Sequence, residues 1–200
     1  EGGLGGGVTD VVADGMVKGG ANFEGRGAEE EESGELADKL KQSSDWNWAK
    51  NDGLTGTLGW KPESGFLPYR WQGYDEALFL YLLGLGSPTH PLPKDSYVQW
   101  TSTYEWREIY GLEFLYSAPL FTHQTSHLWI DFRGVQDDYM RGKGIDYFEN
   151  SRRATLVQQQ YAIDNPAGFD GYKASCWGIT ASDGPGPAKR TVEGQERKFL

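Results

Sequence analysis

The ten residues ALFLYLLGLG, Ala77 to Gly86, constrain this chain more than any other stretch. A surface helix shows one apolar stripe and a polar back; this segment has no polar back, so as a helix it must be buried all round. That demands packing partners on both flanks and makes it the inner layer of a helical arrangement. The Gly73-Tyr74-Asp75-Glu76 run in front supplies a start signal, with Asp75 placed to cap the helix and Gly84 and Gly86 placed to end it. The unbroken apolar run, Ala77 to Leu83, is too short to span a bilayer.

Around this segment the chain divides in two. Residues 1–44 hold EGGLGGG, GGANFEGRG and the acidic run Glu29 to Glu32, a composition expected of a solvated segment. Within it, Leu36 and Leu40 lie four apart and predict a short helix from about Ser33. Residues 45–200 form the second part. Alternating Leu54, Gly56, Leu58 and Trp60, then Pro62 and Gly65, predict a small β-hairpin or irregular insertion near 54–70. SPTHPLP reads as a rigid connector, 95–117 as an aromatic helical segment, and THQTSHLWIDFRG as a short helix running into a loop. Residues 135–162 read as a long helix broken near Gly142 and Gly144 and stopped by Asn165-Pro166. Helices with long polar loops and almost no strand pattern predict an all-α bundle or toroid.

Composition narrows the function. Eight Trp and eleven Tyr in 200 residues supply flat amphipathic faces beyond the needs of packing, which suits a groove for sugar rings, although any single Trp reads more readily as core. The net charge of -10 argues against nucleic acid and against an anionic membrane surface, but is indifferent to a neutral glycan. A lone cysteine, Cys176, gives neither an internal disulfide framework nor a multi-cysteine metal site. No signal peptide is visible, and a chain opening on Glu1 rather than Met is expected to lack its true start.

Several groups of residues could carry chemistry. Asp75 and Glu76 sit where a polar loop meets an apolar helix, a place where a carboxyl pKa can be tuned; the alternative is a cap and a first-turn acid. His123 and His127, at i and i+4, could share a helical face and a metal, but Gln124 stands where a metalloprotease-type glutamate would be, and no third ligand is near. No metal and no cofactor are expected; hydrogen bonds to sugar hydroxyls suit these histidines better. Asp131 and Arg133, bracketed by Trp129 and Phe132, make a plausible sugar subsite or a local pair bracing a loop. Glu149, Arg152 and Arg153 read equally as a surface network, and Asp183 lies in a loop of exposed character.

Taken in order, GWKPESGFLPYRWQGYDEALFLYLLGLGSPTHPLP, SAPLFTHQTSHLWIDFRG, KGIDYFENSRRAT and WGITASDGPGP resemble the glycoamylase-like domain family over about residues 45–187. The resemblance implies an (α/α) toroid of helical hairpins, here about half of one because the family would continue beyond RKFL. It implies a periplasmic or extracellular setting and a β-glucan as partner, β-1,2-linked by preference, with no nucleic acid and no membrane insertion. Members include endo-β-1,2-glucanases and domains of cyclic β-1,2-glucan synthases that perform transglycosylation. By position, Glu76 matches a groove acid that affects activity. Trp71, Asp75, His123, His127, Asp131, Arg133 and Asp183 are implied as substrate contacts. The family's second acid lies on its first helix, where this chain has GVTDVVADGMVKGG; the matching position falls on Val8, and Asp10 or Asp14 is expected to substitute. Three functions follow: a glycoside hydrolase using Glu76 and Asp10, a transglycosylase module, or a sugar-binding fragment without turnover.

Overall fold

The computed structural model describes residues 28–180, 188–192 and 194–199. Val8, Asp10, Asp14 and Asp183 lie outside the described residues.

Helix α1 spans Ala28–Ser43, taking in the acidic run and so beginning earlier than the Leu36–Leu40 spacing predicts. Lys41 in its last turn complements the helix dipole, and Lys39 pairs with Glu35 at 3.7 Å. Leu36 and Leu40 remain exposed, so the apolar spacing that predicts the helix buries nothing.

The predicted hairpin is present: β1 (Trp60–Lys61) pairs antiparallel with β2 (Gly65–Phe66). Main-chain bonds from Leu58 N to Tyr69 O (3.0 Å) and from Trp71 N to Gly56 O (3.0 Å) continue the ribbon outward. Next comes the apolar segment as α2 (Ala77–Leu85), with Glu76 at its N-cap position. Asp75 accepts the Ala77 N–H through Oδ1 at 2.9 Å, the capping role predicted for it one residue further out. Burial of α2 is less complete than the absence of a polar face implies. Ala77, Leu78, Tyr81, Leu82 and Gly84 are buried, whereas Phe79, Leu80, Leu83 and Leu85 are only half-buried.

The expectation for 95–117 is corrected. Helix α3 (Lys94–Thr101) ends early, and the rest is a ribbon of β3 (Trp106–Ile109) and β4 (Leu112–Leu115). Tyr110 and Gly111 both have positive φ (54° and 72°), as a two-residue turn matched to strand twist requires. Ile109 therefore faces Leu112, and Trp106 faces Leu115. The predicted break between helices is found, giving α4 (Asp138–Lys143) and α5 (Tyr147–Asp164). Each starts at an aspartate whose carboxylate takes a main-chain N–H: Asp137 from Met140 at 2.7 Å and Asp146 from Glu149 at 2.6 Å. Gly144 and Asn165 end them in the left-handed region. A third ribbon, β5 (Ala188–Val192) with β6 (Gln195–Phe199), has no counterpart in the expected all-α pattern. The architecture is thus helix-rich, with three two-stranded ribbons among the described residues.

The core centres on aromatic rings rather than aliphatic layers. Tyr81 stacks on Trp100 at 4.6 Å, and both are fully buried. Beside them, Asp137 Oδ2 accepts from the hydroxyls of Tyr97 and Tyr147, each at 2.5 Å, and Tyr104 reaches the Tyr147 hydroxyl at 3.3 Å. Burial first, and the Asp137 charge with it, holds the Tyr97 and Tyr147 hydroxyls protonated well beyond the usual range. Asp137 thereby joins α3, α4 and α5 through one carboxyl group.

Candidate functional site

The two histidines of THQTSH occupy separate 3₁₀ turns, Leu120–His123 and Thr125–Leu128, rather than one face of a helix. His123 is fully buried. Its Nε2 lies 3.1 Å from Ser117 O, its Nδ1 3.5 Å from Asn150 Nδ2, and its ring 5.1 Å from that of Tyr74. Burial lowers its pKa to about 4, so the imidazole is neutral at pH 7. The structure therefore places His123 behind the site, as a packed and hydrogen-bonded core group. His127 turns the other way, its ring 4.7 Å from Phe132, and its Nε2 is buried without a hydrogen bond. Burial lowers its pKa too, against the opposing pull of Asp131 and Asp146. Among the described residues no group of three His, Cys, Asp or Glu side chains is placed to hold a metal ion.

His127 opens onto a cleft of about 440 Å³ lined also by Leu128, Trp129, Ile130, Asp131, Arg133 and Phe148. Asp131 and Arg133 form a two-pronged pair across its rim, with Nε to Oδ1 at 2.8 Å and Nη2 to Oδ2 at 2.7 Å. The Arg133 main-chain N–H adds a bond at 3.1 Å. These bonds hold the exposed Asp131 carboxylate down at about 2. A fixed fork of donors and acceptors beside an exposed Trp129 ring and the Phe148 ring can take a ligand that presents both hydroxyls and flat C–H faces. The Asp131–Arg133 pair braces its own loop and lines the cleft.

The cleft segment is fastened to the acid-bearing end of α2. Phe79 N donates to Ser126 Oγ at 3.1 Å, and that hydroxyl reaches the Glu76 carbonyl at 3.4 Å. The Phe79 ring stacks on Trp129 at 5.9 Å and 26°. Glu76 is half-buried at this junction. Asp75 is half-buried beside it but is engaged with the Ala77 N–H. Burial pushes its carboxyl up to about 7, with Glu76 adding to the rise and the Ala77 N–H and the nearby Trp100 indole opposing it. Trp71 packs its half-buried ring against the core, with its indole N–H buried and unpartnered.

The structure thus brings His127, Asp131 and Arg133 together and ties their segment to Glu76. It sets His123 and Trp71 into packing, while Asp10 and Asp183 lie outside the described residues. Sequence reasoning did not single out Ser126 or Phe148. Phe148 comes from α5, and no local pattern distinguishes it from a core ring; Ser126 is marked only by its place between the histidines.

Several known proteins are similar to this chain. A curated exo β-1,2-glucooligosaccharide sophorohydrolase (non-reducing end) of Parabacteroides distasonis is 25% identical over 203 residues, covering 88% of this chain and 28% of that protein. The endo-β-1,2-glucanase of Chitinophaga pinensis, solved with sophorotriose and glucose, superposes with a TM-score of 0.70 at 27% identity, over 82% of this chain and 41% of that one. The β-1,2-glucanase structure from Parabacteroides distasonis has the same fold, with a TM-score of 0.68 at 24% identity over 80% of this chain and 26% of its own. This chain therefore spans less than half of each. Residues 68–197, well over half of the chain, match the Glycoamylase family model, described as "Putative glucoamylase", and the chain belongs to that family.

Proposed function

We propose that this chain is part of a glycoside hydrolase acting on a β-glucan, β-1,2-linked by preference, with Glu76 as one of two working carboxyl groups. The observation that carries the reading is the junction of the cleft segment with the N-terminus of α2. Ser126 bonds the cleft's segment to the main chain of Glu76, and the Phe79 ring, one turn further along α2, stacks on Trp129 of the cleft. The similar proteins, named for hydrolysis of β-1,2-glucans, supply the linkage.

In this reading the Trp129 ring and the Asp131–Arg133 fork orient a glucosyl unit. One carboxylic acid gives its proton to the glycosidic oxygen as the C–O bond breaks. The other carboxylate takes a proton from the water that forms the new C–O bond on the opposite face. Asp10 is the proposed second carboxyl. The complete domain is proposed to be an (α/α) toroid working in the periplasm or outside the cell, and this chain contributes about half of its ring.

The test is release of reducing ends from linear β-1,2-glucan, with Glu76→Gln alongside. Loss of activity in the variant, with binding retained, supports the assignment. A folded chain that binds the glucan and releases nothing, with or without the substitution, contradicts it.

A further inference from the structure

Away from the cleft, Trp48, Trp60 and Phe66 gather on one side of the first ribbon. Trp60 and Phe66 are cross-strand partners, and the Trp48 ring lies 4.6 Å from Phe66 and 6.1 Å from Trp60. Yet Trp48 is 54% exposed and Trp60 48% exposed. Indoles left this open on a loosely held segment would fold inward to hide apolar area. Here the backbone beneath them is tied down. Asp45 Oδ1 accepts the N–H groups of Asn47 and Trp48 at 3.0 and 3.1 Å. The Arg70 guanidinium donates to the carbonyls of Thr55 (2.6 Å), Lys50 (2.7 Å) and Asn51 (3.2 Å). Gly53 leaves room for that guanidinium, since a Cβ there would fall within 2.1 Å of Arg70 Cζ. The rings are presented, at an angle to one another, on a rigid base.

We propose that Trp48, Trp60 and Phe66 form a second glucan-binding platform, separate from the His127–Arg133 cleft, which takes a stretch of a neutral β-linked glucan. The inference rests on the hydrolase reading for the identity of the polymer. Its own support is local. Indole faces match the C–H faces of pyranose rings while leaving the hydroxyls to water and to a polar rim. A chain of net charge -10 gives no advantage to a polyanion. The platform is also continuous with the site: its ribbon passes through the Trp71–Gly56 bond and Gly73 (φ 77°) directly into Asp75 and Glu76. A polymer held on these rings is thus bound by the same loop that delivers the acid.

The experiment is a residue-resolved titration. The eight indole N–H signals of the full chain are followed by ¹H–¹⁵N correlation as linear β-1,2-glucan is added, with Trp48→Phe and Trp60→Phe used to assign two of them. The Trp48 and Trp60 signals are expected to move and saturate, and to do so even when the cleft carries Trp129→Ala with Arg133→Gln. Trp48→Ala with Trp60→Ala should weaken binding about tenfold, and the double Phe variant should recover part of it. If only the Trp129 signal moves, the platform is overturned while the hydrolase reading stands. If no signal moves, both fall. If the two indole signals instead shift with protein concentration in the absence of glucan, the rings are an interface with a second copy and the proposal is wrong.

Discussion

His123 and His127 lie four positions apart, but they belong to regions built on opposite terms. The first region, around Asp137, Tyr97, Tyr147 and Asn150, is sealed, and the side chains of these four residues are answered by one another or by the backbone. The second, from His127 to Arg133, exposes Leu128, Trp129, Asp131 and Arg133 to the cleft while Phe132 stays in the core, and the His127 Nε2 has no hydrogen-bond partner. Between them lies Ser126, whose hydroxyl accepts the Phe79 N–H and fastens the turn to α2. Identical residue types therefore acquire different chemistry from a few ångströms of burial.

The sharpest way to break this contrast is at its sealed end. Asp137→Ala removes the acceptor of two buried tyrosine hydroxyls and the cap of α4 together, and should cost about 3–5 kcal/mol of stability by urea unfolding. His123→Ala, which loses its hydrogen bonds and its packing on Tyr74 and Phe114, should cost about 2–3 kcal/mol. His127→Ala, in the half-open turn, should cost about 1 kcal/mol or less while weakening glucan binding. Equal destabilisation by the two histidine variants would dissolve the distinction.

A pH profile sharpens it further. The folded Asp75 carboxyl titrates near 7, against an ordinary value of 3.8, so between those values the unfolded chain binds fewer protons and stability falls as pH rises. The folded His123 ring titrates near 4, against 6.5, so there the unfolded chain binds more protons and stability falls as pH drops. The two slopes oppose each other. Asp75→Asn, which keeps an acceptor for the Ala77 N–H, should raise the melting temperature at about pH 7.5 and leave it unchanged near pH 4. A flat difference across that range would show that burial does not govern Asp75. Smallest of all, Arg133→Gln should leave the melting temperature unmoved and return the Asp131 carboxyl toward its ordinary range, read by ¹³C carboxyl titration.

Much of the helical frame was legible beforehand because its signals are local. The apolar run of α2, the break at Gly142–Gly144 and the stop at Asn165-Pro166 each act within a few residues. The β3–β4 ribbon was not read, although Tyr110-Gly111 between Ile109 and Leu112 is a short-range turn signal; the aromatic spacing of Trp100, Tyr104 and Trp106 masked it. The site was legible in part. His127, Asp131 and Arg133 lie within seven residues of one another, so most of the cleft lining comes from one segment. The inward turn of His123 depends on Asn150 and Ser117, and the closing wall at Phe148 on α5, contacts that no spacing within THQTSH encodes.

The central claim is that the open segment from His127 to Arg133 binds sugar while the sealed region only supports it. Calorimetric titration of linear β-1,2-gluco-oligosaccharide into the chain, set beside Trp129→Ala with Arg133→Gln, tests it most directly. The account predicts saturable binding that weakens about tenfold or more in the double variant, with the melting temperature of the unliganded protein unchanged. Undiminished affinity in a folded double variant would contradict it.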